Sequence, residues 1–210
     1  MKYLTYIPEP EKNAPWNKGK LIGQRPPLKQ SEVWSIRTRL EIAGNLRDLT
    51  LFNLAIDSKL RGSDLTKLRV RDVFNGSCVQ RRALIRQQKT NQTVQFEITP
   101  QTQESIYKWI IDAQLQPEQY LFKSRVHSSK HLSTRQYSRI VKSWVKMIGL
   151  DPKVYSTHSM RRTKATLRYK RTKNLRAIEL LLGHKKIEST VRYLGVEVDD
   201  ALEMAEQIEV

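Results

Sequence analysis

One cysteine, Cys78, stands among 210 residues, so no disulfide can close within the chain. That fits a reducing compartment and a cytoplasmic protein. Four histidines and this lone thiol lie too far apart in sequence to make a zinc finger. No apolar run approaches the ~18 residues of a membrane span. The first twenty residues, MKYLTYIPEPEKNAPWNKGK, carry charges and prolines where a secretory signal needs an apolar stretch. Neither a P-loop nor a dinucleotide-binding fingerprint is present. The sequence therefore implies neither metal nor cofactor.

Acidic residues are the other shortage. Asp and Glu total 21 against 38 Lys and Arg, a formal net charge of +17. Such a surface repels itself. A polyanion relieves that repulsion, and nucleic acid gains further from counterion release. Charge is also segregated along the chain. Between Arg125 and Arg176 the basic residues crowd together with Asp151 as the only acid. After Tyr193 the chain holds Glu197, Asp199, Asp200, Glu203, Glu206 and Glu209 with no Lys or Arg.

Hydrophobic residues, 39% of the chain, suffice for a folded domain. Residues 1–30 read as a basic extended arm, broken by Pro8, Pro10, Pro15, Pro26 and Pro27. Ser31 is the expected N-cap of a first helix that Gly44-Asn45 ends. A heavily apolar second helix runs through Leu49–Ile56, and a short third begins near Ser63. Residues 78–88 and 93–99 read as two strands, with Lys89-Thr90-Asn91-Gln92 as the turn. Helices are expected at about 101–114, 133–148, 156–171, 174–183 and 198–209. The fold class is α+β: mostly helical, with a small antiparallel sheet.

Metal-free cleavage of DNA needs a nucleophile, cations to hold charge on the phosphate, and an acid for the departing sugar oxygen. His158 and Arg161 are three apart at the start of a helix, so they share a face. Arginine donates two parallel hydrogen bonds to a phosphate. Leu182-Gly183-His184 follows, and Tyr193 lies nine residues beyond the histidine. Upstream, Leu60-Arg61-Gly62-Ser63-Asp64-Leu65 opens the short third helix, and Lys89 sits in the turn. Each piece alone has a plain structural reading: a basic helix, an aromatic anchor, a salt bridge to Asp64, a solvated lysine.

Together, and in this order, these motifs resemble the catalytic domain of the tyrosine recombinase (phage integrase) family over about residues 31–195. Arg61 matches that family's first arginine and Lys89 its hairpin lysine. His158 and Arg161 match the HxxR pair, His184 the histidine after leucine-glycine, and Tyr193 the nucleophile. The resemblance implies site-specific recombination of double-stranded DNA through a 3′-phosphotyrosyl bond, without ATP or metal. Arg61, Arg161 and His184 would hold the phosphate, Lys89 would protonate the 5′-oxygen, and His158 would act as base or donor. It also implies Arg135, Gln136, Arg139, Arg162 and Lys164 as DNA contacts, with Arg135 and Gln136 reading bases.

Further expectations concern assembly: a homo-oligomer on DNA, a tetramer in the synapse, accessory DNA-bending proteins, and nucleoid association. The acidic segment 196–210 would dock on a neighbouring protomer. Only about sixty residues precede Arg61. That leaves no room for the separate clamping domain of typical members, as in the short fimbrial phase-switch recombinases. Gly62 and Asp64 are mild departures from the family pattern. Two alternatives stand beside the recombinase reading. A type IB topoisomerase would carry lysine in place of His158. A DNA-binding protein that does not cut would have lost a catalytic position, and none is missing.

Overall fold

The computed structural model describes residues 24–125, 130–184 and 186–194. Nine helices and one hairpin follow in chain order among them: α1 (Gln30–Ile42), α2 (Leu46–Ser58), α3 (Gly62–Leu65), α4 (Val70–Val73), β1 (Arg82–Arg86), β2 (Thr93–Glu97), α5 (Pro100–Asp112), α6 (Thr134–Met147), α7 (Thr157–Thr172), α8 (Leu175–Leu182) and α9 (Ile187–Leu194). The mostly helical α+β class and the hairpin agree with the sequence. The expected arm 1–30 and tail 196–210, with its helix 198–209, fall largely outside the described residues.

α4 and α9 are not expected from the sequence, and β1 begins at Arg82 rather than residue 78. The start of α1 differs from expectation for local reasons. Lys29, not Ser31, is the N-cap of α1, because the Glu32 carboxylate accepts from the Lys29 backbone N–H at 2.7 Å. Leu28 is 1% exposed, and its N–H donates to Thr163 Oγ1 at 3.0 Å. The last residues of the expected arm are therefore part of the packed domain.

α2 is the central element. From Leu49 to Ser58 every residue is buried, beneath α1, α5 and α7. A helix buried all round must satisfy its polar side chains internally. Thr50 Oγ1 donates to Leu46 O and Ser105 O, both at 2.8 Å. Asn53 accepts from Arg37 at 2.8 Å and donates to Ser105 Oγ at 3.2 Å. Phe52 meets Trp144 of α6 edge to face at 5.3 Å. β1 pairs antiparallel with β2, Arg82 opposite Glu97 and Arg86 opposite Thr93. Their inward residues Ala83, Val94 and Phe96 join this main core. A second, smaller core unites Ala165, Tyr169, Ile178, Leu182 and Leu194, from α7, α8 and α9.

At the C-terminus of α2 lies a charged knot. Lys164 Nζ contacts Asp57 Oδ1 at 2.6 Å and Glu97 Oε1 at 2.9 Å, while Lys59 Nζ contacts Glu97 Oε2 at 2.9 Å. Burial raises the Glu97 pKa, but the two lysines outweigh it and hold the carboxyl down at about 2. Lys59 itself is shifted down, because burial outweighs the pull of Glu97. Both shifts point down, which favours the charged carboxylate and disfavours the charged lysine. The carboxylate has two cations against it and sets the acid behaviour of the knot. Its folded pKa is depressed, so its stabilisation is present above the unfolded value, near 4.5. It is lost as pH falls from there toward 2. Glu97→Gln is expected to cost roughly 1–2 kcal/mol at pH 7 and to flatten the acid limb of a urea-melt stability profile between pH 5 and pH 2. An unchanged acid limb in Glu97→Gln would refute this.

Candidate active site

Arg61 stands at the N-cap of α3, just after the left-handed Lys59 (φ 54°) turns the chain out of α2. Its Nη1 donates to Gln87 Oε1. Lys89 is exposed in the β1–β2 turn. Ser156 caps α7 by accepting from the His158 N–H at 3.2 Å. That cap fixes the helical phase that puts His158 and Arg161 on one side. Arg161 is 4% exposed, and its Nη2 donates to Leu182 O at 2.8 Å.

Gly183 ends α8 with φ 64°. A Cβ there would lie 2.5 Å from Val94 Cγ1, so glycine is required both by conformation and by the close hairpin. The next residue, His184, is thereby turned toward α9. Its Nδ1 is 3.0 Å from Thr190 Oγ1, and its ring meets the Tyr193 ring edge-on at 5.3 Å. The guanidinium of Arg161 lies 5.6 Å from the Tyr193 ring centre and that of Arg162 5.5 Å.

The electrostatics follow from this crowding. Burial pushes the Tyr193 hydroxyl up to about 12, against the opposing pull of Arg161, Arg162 and Arg61. Burial, then Arg161 and Arg61, push His184 down to about 4. Burial also lowers His158, helped by Arg161, Arg61, Lys89 and Arg162. Both shifts favour the neutral imidazole at pH 7. Buried polar atoms without a hydrogen-bond partner among the described residues concentrate here: Arg161 Nε, Arg162 Nε, Asp64 Oδ2 and the Tyr193 hydroxyl. Unspent donors on two arginines suit an acceptor-rich ligand such as a phosphodiester. Among the described residues no three His, Cys, Asp or Glu side chains gather as metal ligands. No helix among them is long and apolar enough to cross a membrane.

Arg61, His158, Arg161, His184 and Tyr193 thus share one neighbourhood, and Lys89 reaches it electrostatically. Two of the expected DNA contacts are placed differently. Lys164 is held by Asp57 and Glu97, so its charge is spent inside the protein. Arg162 is buried, its Nη1 donating to Arg25 O at 2.8 Å, and it flanks Tyr193 rather than the outer surface. Arg135, Gln136 and Arg139 are exposed on the first turns of α6, capped by Ser133. They line a cavity of about 460 Å³ with Arg47 and Arg125. A second cavity, about 670 Å³, is lined by His158, Arg162, Arg192 and Tyr193 together with Gln24 and Arg25. Sequence reading passed over Arg47 and Gln87. Gln87 left a signal: it continues the inward face of Ala83 and Ile85 and is 1% exposed, a buried polar side chain beside two arginines.

Residues 27–199 match the model of the phage integrase family. The chain belongs to that family. It is 32% identical over 155 residues to a probable integrase/recombinase, YoeC, of Bacillus subtilis, covering 74% of this chain and 81% of YoeC. This integrase-family chain also shares its fold with crystal structures. XerA recombinase superposes with a TM-score of 0.71 at 18% identity, over 89% of this chain and 66% of XerA. XerH, a site-specific recombinase bound to its difH substrate in a pre-cleavage complex, gives 0.68 at 18%, over 87% of this chain and 55% of XerH. The chain thus spans between half and two thirds of the length of these two recombinases.

Proposed function

We propose that this integrase-family chain breaks and rejoins double-stranded DNA at specific sites, with Tyr193 as nucleophile. The observation carrying the proposal is the meeting of Tyr193 with His184, Arg161 and Arg162, two of them arginines with unspent donors. The Tyr193 oxygen attacks the scissile phosphorus, and its proton passes to neutral His158. The bond from phosphorus to the 5′-oxygen breaks, and Lys89 protonates that oxygen as it leaves. A 3′-phosphotyrosyl bond remains, conserving the energy of the phosphodiester. The 5′-hydroxyl of a partner strand then reverses the step. Arg61, Arg161 and His184 hold the charge on the non-bridging oxygens. The Tyr193 hydroxyl is buried, so it must be uncovered to attack.

Incubation with a duplex nicked near the cleavage point tests this, because the short product diffuses away and traps the intermediate. A detergent-resistant protein–DNA adduct is expected. A chain that binds the duplex tightly but never forms an adduct is a binding protein instead. Strand exchange requires several active sites, so protomers assemble on paired sites. We propose a tetramer, with accessory DNA-bending proteins where the site demands them. Residues 196–210, outside the described residues, are proposed to link neighbours.

The exposed α6 residues are proposed to read sequence. Arg135→Ala and Gln136→Ala are each expected to cost about 1–3 kcal/mol on the specific site and little on random DNA. Competition gel shifts measure this. Equal losses on both DNAs would make these residues phosphate contacts.

A further inference from the structure

Gln87 joins four pieces of the site. Its backbone closes the turn that carries Lys89: Gln87 N donates to Gln92 O at 2.8 Å, and Asn91 N donates to Gln87 O at 2.9 Å. Its side-chain oxygen accepts from Arg61 Nη1 and from Thr90 Oγ1, the latter at 2.8 Å. Its side-chain nitrogen donates to Leu182 O at 3.5 Å. That same carbonyl accepts from Arg161 Nη2 at 2.8 Å, and His184 lies two residues after it. One amide therefore spans Arg61, the Lys89 turn, the partner of Arg161 and the end of α8 that leads into His184.

The chemistry of an amide suits this place. Its oxygen satisfies a guanidinium without cancelling the charge, so Arg61 stays available to an anion. Its nitrogen meets a carbonyl that a carboxylate would repel. An aliphatic side chain of equal size would leave Arg61 free to swing and would strip Leu182 O of one donor. Gly183 keeps the approach open: a Cβ there would lie 3.4 Å from Gln87 Nε2. We infer that Gln87 is the positioning residue that sets Arg61 against Arg161 across the phosphate and couples both to the hairpin lysine. The inference rests on the strand-cleavage function proposed above.

The two variants Gln87→Met and Gln87→Glu separate positioning from bulk structure. In single-turnover adduct formation on a nicked duplex, Gln87→Met is expected to lose about 10- to 100-fold in rate, the range for loss of orientation. Noncovalent binding of the same duplex changes less than about threefold, since one phosphate contact among many is disturbed. Gln87→Glu is expected to be at least as slow at pH 8, where its carboxylate neutralises Arg61 and repels Leu182 O. It stays slow down to pH 5.5, because Arg61 beside it holds the new carboxyl ionised. A purely structural defect would lower binding and rate together. Thermal unfolding of each variant accompanies the rates. If wild type forms no adduct, the cleavage reading fails. If wild type forms it and both variants match its rate, or lose binding in step with the rate, the positioning role is overturned.

Discussion

Replacing Tyr193 with phenylalanine is expected to abolish covalent adduct formation while making the free protein slightly more stable. The first half follows from chemistry: the attacking oxygen is removed. The second follows from burial. The Tyr193 hydroxyl has no hydrogen-bond partner among the described residues and is withdrawn from water. An unpaired buried hydroxyl costs about 1–3 kcal/mol, and phenylalanine escapes that cost while keeping the ring against the smaller core. In a chain of this size each kcal/mol moves the melting temperature by roughly 2–4 °C. A calorimetric rise of a few degrees is expected, with DNA affinity within about twofold of wild type. Adduct formation by the phenylalanine variant would remove Tyr193 from the nucleophile's role. A clear fall in melting temperature would show that the hydroxyl has a partner in solution.

The second large effect belongs to Arg161. Removing one pre-aimed donor from a charge-stabilising site slows chemistry about 10²–10³-fold, and Arg161→Ala is expected to fall in that range in single-turnover cleavage. Alanine also leaves a cavity beside the smaller core and takes a donor from Leu182 O. A loss of stability of about 2–3 kcal/mol accompanies it. Arg161→Lys separates the two effects. Lysine keeps the charge and much of the volume but cannot fork between Leu182 O and a phosphate. Its cleavage is expected to remain at least tenfold down, with most of the stability restored. A lysine variant cutting at wild-type speed would reduce Arg161 to a charge and a filler.

The parts of the site legible in sequence are those set by short-range geometry. His158 and Arg161 share a face because three residues make most of a helical turn. Lys89 follows from a turn between two alternating segments. Gly183 and His184 follow from how a helix ends. What escaped depends on contacts far apart in the chain. Lys164 looked like one more cation in a basic stretch, because Asp57, which neutralises it, lies 107 residues away. Arg162 looked like a surface neighbour of Arg161, but its partner Arg25 belongs to a segment that read as free arm. The N-cap of α1 moved two residues because Glu32 reaches back to the Lys29 backbone, an exchange that the cap preference of serine alone does not foresee. For Lys164 and Arg162 a tertiary partner overrode a local preference.

α9, which carries Tyr193, rests on the smaller core, apart from the one that holds α2, the hairpin and α6. Damage to the two cores would therefore be inherited differently. A change in Phe52 or Ile106 removes the protein, and a cell with a second, intact copy would lose only dosage. A change in Ile178 or Leu194 would leave a folded body that still occupies DNA but delivers no tyrosine. Mixed with intact chains, such a protein sits where a working one is needed, so the lesion would be dominant rather than recessive.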